Sequence, residues 1–268
     1  MKKYRIIDGH CHVFPDKLAY TATSSTQIFY DIPHTAYYGR LDTLIEQCDE
    51  NDVEKCVVAM VATSANQSQR LNKFLKDIIN KHPQRFIGFG ALHPESKTMA
   101  EDFDYLLSLE LPGVKLHADM QKCTADSKGN MEIYDFCSQN NLPVLLHTGD
   151  TRYDNSNPNR IENILKSFPN LKVIGAHFGG WSCWEEATER LHKYDNFYVD
   201  TCSSFYLLSD TTVKKLINKY GTDKIIFGSD YPIWSQKDEL KRLFSLGLEE
   251  KQLENILCNN LLSLIKSS

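Results

Sequence analysis

Five side chains able to bind a metal stand where short apolar runs stop: His10 and His12 in Ile7-Asp8-Gly9-His10-Cys11-His12, then His147, His177 and Asp230. In a parallel α/β barrel, strand ends are where side chains meet substrate. Alternate residues of a strand share a face, so His10 and His12 are expected to point together while Cys11 points into the barrel wall. Adding His147 and Asp230 supplies three neutral imidazole nitrogens and one hard oxygen. That set suits Zn2+, Mn2+ or Fe2+, with a position left for water. Each residue also has a plainer reading. An H-x-H pair is common without a metal, Asp230 ahead of Pro232 could be a turn or helix N-cap residue, and His177 in Gly175-Ala176-His177-Phe178-Gly179-Gly180 could sit in a tight turn. The glycines around His177 equally leave room for a ligand beside the imidazole.

The elements that must position these groups are legible as alternating patterns. Strand-like runs fall at 4–7, 53–62, 86–92, 113–116, 142–146, 171–176, 197–199 and 224–227, with helical periodicity at 41–48, 71–79, 99–109, 133–139, 161–168, 184–191, 213–220 and 253–265. Alternation of this kind implies parallel pairing. His117, His147 and His177 recur every 30 residues, about the length of one strand–helix unit. The expected fold is therefore α/β, a distorted (β/α)8 TIM barrel forming one domain over residues 1–268. Two segments exceed minimal loops: 13–40, rich in aromatic residues, and 118–130, which is polar. The first is expected to be a substrate lid or part of a subunit contact in a homo-oligomer.

Composition narrows the partners. A net charge of -5, without a run of like charges, provides no footprint for a phosphate backbone, so nucleic acid is not an expected partner. No apolar stretch reaches the roughly 18 residues of a membrane span, and Met1-Lys2-Lys3 is not followed by an apolar signal segment. The protein is expected to be cytoplasmic, without membrane association. Its eight cysteines contain no C-x-x-C pair and are expected to be reduced.

As an ordered set, Ile7-Asp8-Gly9-His10-Cys11-His12, Gly113-Val114-Lys115-Leu116-His117, Leu145-Leu146-His147, the glycine-rich stretch around His177 and Gly228-Ser229-Asp230-Tyr231-Pro232 resemble the amidohydrolase superfamily. The closest likeness is to the amidohydrolase-related branch that includes aminocarboxymuconate-semialdehyde decarboxylase and small lactonases. The resemblance runs from residue 4 to the closing helix. It implies that His10, His12, His147 and Asp230 hold a divalent metal, with Zn2+ expected first, and that His177 polarises substrate or moves a proton. Asp230 would also take the proton of metal-bound water. One ion is expected. A second would require a carboxylated Lys115, as in binuclear relatives, serving with His147 and His177.

Lys115, His117, Trp181 and Arg152 are the candidate substrate-binding residues, with Lys115 as the cation for a substrate carboxylate. Arg40, Arg160 and Tyr231 are weaker candidates, and Asp200 is a candidate acceptor for a ligand histidine. The first expectation for function is a hydrolase of a small molecule with an amide, lactone or ester carbonyl. The alternatives are a metal-dependent non-oxidative decarboxylase, a nuclease-like phosphoesterase and an inactive barrel that binds. An arginine on the early loops, such as Arg40, would favour decarboxylation. Lys115 and His117, standing where a nuclease of this type would carry a glutamate, count against the phosphoesterase.

Overall fold

The structure is a computed structural model that describes residues 4–32 and 34–265. The basic start at 1–3, Pro33 of the long excursion and residues 266–268 lie outside the described residues. Among the described residues, eight parallel strands are hydrogen-bonded in chain order: β1 (Ile7–Cys11), β2 (Lys55–Ala59), β3 (Phe86–Ala91), β4 (Gly113–Leu116), β5 (Val144–Leu146), β6 (Val173–Gly175), β7 (Phe197–Asp200) and β8 (Ile225–Ile226). Helices α1 (Asp16–Tyr30) and α2 (Leu41–Glu50) follow β1, α3 (Ser68–Lys81) follows β2 and α4 (Met99–Ser108) follows β3. Then come α5 (Ala118–Gln121) and α6 (Lys128–Gln139) after β4, α7 (Pro158–Ser167) after β5, α8 (Trp184–Leu191) after β6 and α9 (Asp210–Tyr220) after β7. After β8 the chain forms α10 (Gln236–Ser245), α11 (Glu250–Glu254), a π-helical turn at Asn255–Asn259 and α12 (Asn260–Ile265). This is the expected (β/α)8 arrangement.

Three differences from the sequence reading have physical causes. The first strand begins at Ile7, so His10 lies inside it. The 13–40 excursion contains α1, whose serine- and threonine-rich sequence buries only Ala19 and Thr23 and has no side-chain N-cap, leaving no apolar stripe to read. Residues 118–130 contain α5 and the first turn of α6.

Strand parity sorts side chains between two cores. Cys56 and Val58, Val114 and Leu116, and Val144 and Leu146 pack outward against the helices. Val57, Ala59, Phe89, Leu145 and Ile174 point inward, where Cys258, Leu261 and Leu264 from the C-terminal segment pack against the inner cluster. On the same parity Lys115, registered with Ala91 and Leu145, belongs to the interior.

Closure between β1 and the segment after β8 is made by hydrogen bonds: Gly9 N–H to the Phe227 carbonyl at 2.8 Å, Asp230 N–H to the His10 carbonyl at 2.9 Å and His12 N–H to the Tyr231 carbonyl at 2.7 Å. The seam needs glycine, since a Cβ at Gly228 would stand 2.9 Å from His10 Cβ. Phe89 is fully buried in the inner cluster. Phe89→Ala is expected to cost about 3–5 kcal/mol, read as a lower denaturant midpoint with an unchanged slope.

Candidate metal centre and its cavity

The seam that closes the barrel also assembles the donors. Register along β1 shifts between Asp8 and Cys11, a bulge in the pairing with β2. Gly9 already faces the inner cluster, where a Cβ would meet Ile226 and Leu261. The bulge turns His10 inward as well, and with Cys11 outward His12 follows to the same side. Both histidines line one cavity.

Their hydrogen bonds decide which nitrogen is free. His10 Nδ1 lies 2.7 Å from Asp200 Oδ2 and His12 Nδ1 lies 2.9 Å from the Ala59 carbonyl, so each ring donates its Nδ1–H outward. Both Nε2 lone pairs then point inward and stand 3.1 Å apart, where two acceptors cannot bond to each other. Asp230 Oδ1 completes the group, 3.8 Å from His10 Nε2 and 3.5 Å from His12 Nε2. Ligand atoms about 2.0–2.2 Å from a divalent ion stand roughly 3 Å or slightly more from one another. The donors therefore fit such a cation, which would relieve the opposed lone pairs.

Asp230 is prepared from its other side. Its second oxygen, Oδ2, accepts from Ser203 Oγ, which in turn accepts from Trp234 Nε1 at 2.8 Å. It caps no helix, because the N-cap of α10 is Ser235. Its backbone is left-handed with φ 60, as is that of His177 with φ 61, conformations that non-glycine residues hold only under constraint. The Asp230 constraint is the seam bond to His10. That of His177 is Asp200 Oδ1, which accepts its backbone N–H at 2.8 Å. Burial pushes the Asp200 carboxyl up, but the bonded His10 imidazole outweighs this and holds it below the usual carboxylate range.

His147 and His177 lie on the same rim, with His147 Nδ1 3.0 Å from His177 Nε2. The structure groups His147 with His117 and Asp119 as potential ligands, separately from His10, His12 and Asp230. The His117 and His147 rings stack with centroids 3.9 Å apart, and both reach the Tyr30 hydroxyl, at 2.6 and 3.2 Å. Asp119 Oδ2 accepts from Ser156, whereas its buried Oδ1 has no hydrogen-bond partner among the described residues.

Lys115 is 1% exposed, with Nζ 3.2 Å from His10 Nε2 and no carboxylate at ion-pair distance among the described residues. Burial lowers its pKa. The two-ion arrangement asks Lys115, His147 and His177 to converge, but here Lys115 approaches His10 instead.

Of the other candidates, His117 and Trp181 line the cavity. Arg152 does not: its guanidinium binds both oxygens of Asp150 and the Phe29 carbonyl. Arg40 pairs with Asp42 and Asp16, and Arg160 with Asp126 and Asp154, so neither reaches the site. Tyr231 is buried outside the cavity, stacked on Tyr37. Tyr30, Ser203, Trp234 and Asp119 escaped the sequence reading. The only signal for Tyr30 was its place in an aromatic excursion, and Ser203, Trp234 and Asp119 carry no spacing signal at all.

The cavity is about 700 Å3. Its floor is the polar group just described, and its walls are apolar, including Phe14, Leu18 and Phe29 from the excursion and Met60, Leu71 and Phe74 from the β2 side. Helix α1 thus forms one wall. No described helix is long and apolar enough to cross a membrane.

Residues 7–260 match the sequence profile of the amidohydrolase family. The chain belongs to that family. A Dictyostelium discoideum relative, 2-amino-3-carboxymuconate-6-semialdehyde decarboxylase, is 22% identical over 71% of this chain. The match spans 66% of the relative's length, just under two thirds. Among solved structures, an uncharacterised TIM-barrel protein from Bordetella bronchiseptica superposes with a TM-score of 0.80 at 20% identity, covering 98% of each chain. A dihydroxybenzoic acid decarboxylase from a Polaromonas species, solved with manganese and 2-nitroresorcinol, gives 0.74 at 16% identity over 98% of this chain and 97% of its own. At these identities the superpositions carry the fold.

Two outcomes follow from the geometry. Burial lowers the pKa of His10 to about 4 and also lowers those of His117, His147 and His177 from 6.5. Unfolding lets these rings take up protons, so their contribution to the stability of metal-free protein should be fully present above pH 6.5 and lost as pH drops from 6.5 towards 4. Thermal melts across this range check the sign; a rise in melting temperature on acidification would contradict it. Asp200→Asn should weaken divalent-metal binding about 10- to 100-fold, by loosening the His10 ring, as measured by titration with Mn2+ or Zn2+.

Proposed function

We propose that the protein is a metal-dependent non-oxidative decarboxylase of a small unsaturated or aromatic carboxylic acid. The observation that carries this reading is the pairing of an apolar-walled cavity with a polar floor where the buried Lys115 amino group stands beside His10, His12 and Asp230, without a carboxylate at ion-pair distance among the described residues. That floor complements a substrate carboxylate, and the walls complement a flat hydrocarbon body. The relatives named as decarboxylases support the same reading. They move the weight away from hydrolysis, the reaction expected first from the motifs. Arg40, the arginine that would have favoured decarboxylation, pairs with Asp42 and Asp16 instead, and Lys115 is the cation proposed for that role.

His10, His12 and Asp230 would hold the metal, with His177 beside Asp230 and His147, the fourth ligand implied by the resemblance, next to His177. The metal would supply Lewis acidity towards substrate oxygens. Lys115 orients the carboxylate. The apolar walls strip it of water, which favours the step in which its charge disperses. As the carbon–carboxyl bond breaks, its electron pair stays on carbon and carbon dioxide leaves. The His177 imidazole, on the cavity floor, would deliver the proton to that carbon once its Nε2 is protonated.

Protein loaded with Mn2+ or Zn2+ and offered a panel of aromatic and unsaturated acids should release carbon dioxide in equal amount to decarboxylated product. Incorporation of oxygen from labelled water without carbon dioxide release would return the assignment to hydrolysis. Failure to take up any divalent metal would point to a barrel that binds without turnover. Lys115→Met should raise KM for the acid at least about tenfold, the loss of a charge-assisted contact, and leave metal stoichiometry unchanged.

A further inference from the structure

The cavity runs from a buried floor to an opening in solvent, and its carboxylates and basic side chains are sorted along that path. Asp119 and Asp230 are buried, as is Lys115. Arg70 and Lys122 line the same cavity but are exposed, which places them where it opens. Both are cations, on a chain whose net charge is -5. Hydrocarbon joins the two ends, with Leu71 and Phe74 from α3 and Phe14 and Leu18 from the excursion.

Arg70 stands apart from the other arginines. Each of the seven others pairs with a carboxylate. Arg70 has neither an ion pair nor a side-chain hydrogen bond among the described residues, and the first turn of α3 offers it no acidic neighbour. It is also the one arginine among the described residues that borders the cavity. Lys122, which caps the C-terminal end of α5, is likewise unpaired among the described residues.

A third donor group is held beside Arg70. Gln67 Oε1 accepts from the Thr63 N–H at 2.9 Å, the Thr63 hydroxyl at 3.2 Å and the Ser64 N–H at 3.3 Å. Three donors on one atom identify it as the amide oxygen, and the amide nitrogen on the other side has no acceptor among the described residues. The Leu71 N–H donates to the Gln67 carbonyl at 3.0 Å, so the turn is helical from Gln67 onwards. Residues 67, 70, 71 and 74 then share one face, and all four line the cavity. The opening presents an amide, a guanidinium and an ammonium, all donors.

We propose that this opening is a second anion subsite and that the substrate is an elongated diacid. One carboxylate is lost at the floor beside Lys115, and the other is held by Arg70 and Gln67, with Lys122 adding its charge. A cavity of about 700 Å3 is in the range that encloses drug-sized ligands, so a body longer than one ring can span the two ends. The planar fork of Arg70 matches the two oxygens of a carboxylate and fixes its direction, which a lysine alone does not. The distal group takes no part in bond breaking; it selects which end of the molecule reaches the floor. The fate of the floor carboxylate rests on the decarboxylase reading, whereas the subsite is tested by binding alone.

Full-length protein loaded with Mn2+ is titrated calorimetrically with two matched pairs, benzoate with terephthalate and the biphenyl monoacid with its para-linked diacid. The biphenyl diacid should bind about tenfold tighter than its monoacid, and the shorter terephthalate should gain less over benzoate. Added NaCl should shrink the gain, because the subsite is exposed. Arg70→Met keeps an apolar stem and removes the fork. It should abolish the gain of the diacid and leave monoacid affinity within about twofold. Gln67→Glu keeps an oxygen for the Thr63 and Ser64 contacts but puts an anion beside Arg70, and should also abolish the gain. For a diacid that is turned over, Arg70→Met should raise KM with kcat unchanged.

Equal affinity of wild type for the biphenyl diacid and monoacid, or no binding of either, would overturn the subsite. So would a gain that survives in Arg70→Met, or a loss of monoacid binding alongside it, which would make Arg70 a support of the wall. A gain that depends on Arg70, without carbon dioxide release from any acid, would leave the subsite standing and defeat the reaction assignment. Carbon dioxide released from monoacids as readily as from diacids would do the reverse.

Discussion

One buried carboxylate organises this site. Asp200, at the end of β7, accepts the His10 Nδ1–H with one oxygen and the His177 backbone N–H with the other. The first bond turns the His10 lone pair into the cavity, and the second holds a left-handed turn that a β-substituted residue adopts only under constraint. A charge this deep needs both partners, because an unpaired buried carboxylate would revert to its neutral form and lose its grip on the ring. The orientation of a metal ligand and the backbone path of a rim histidine are thus two consequences of the same desolvated anion.

The barrel's closing seam supplies the rest. With β8 reduced to two residues, closure falls to the chain beyond it, whose backbone pairs with Gly9, His10 and His12. The seam bonds bring Asp230 beside the two histidines, and the bulge in β1 decides that His10 faces inward. A regular β1 would have placed Gly9 and Cys11 on the inner face and His10 and His12 together on the other, away from Asp230. The irregularity at this edge is what assembles them.

How far the sequence showed this depends on the range of the interaction. Alternating apolar runs revealed the eight strands and most helices, since burial against a neighbouring layer leaves a local period. Strand-end placement revealed His10, His12, His147, His177 and Asp230 as rim residues, and parity explains why Lys115 is interior. Helix α1 was missed because it lines a cavity and buries only Ala19 and Thr23, with Leu18, Tyr20 and Ile28 exposed, so no apolar stripe marks it. Tyr30 meets His117 and His147 across 87 and 117 residues of chain, and Ser203 meets Asp230 across 27, contacts that leave no periodic trace. Arg152 and Arg40 show the complementary limit. A cation near a rim residue in sequence was read as a substrate ligand, whereas in space each has a nearer carboxylate, Asp150 or Asp42.

The energetics of the floor and the choice of reaction are connected. Four rim imidazoles and Lys115 are buried deeply enough that desolvation disfavours their charged forms, while Asp200 stays ionised through His10. A rim of neutral imidazoles walled by hydrocarbon has little with which to hold a hydration shell around a substrate. It has one point at which to hold an anion, beside Lys115 and the cation that His10, His12 and Asp230 would bind. An acid whose carboxylate enters that point loses water along its whole body, and the product that leaves has no such charge. Hydrolysis asks the opposite of the same walls, since it must admit water to the reacting carbon and release a more polar product. On the proposed reading, the asymmetry between floor and walls suits loss of a carboxylate better than addition of water.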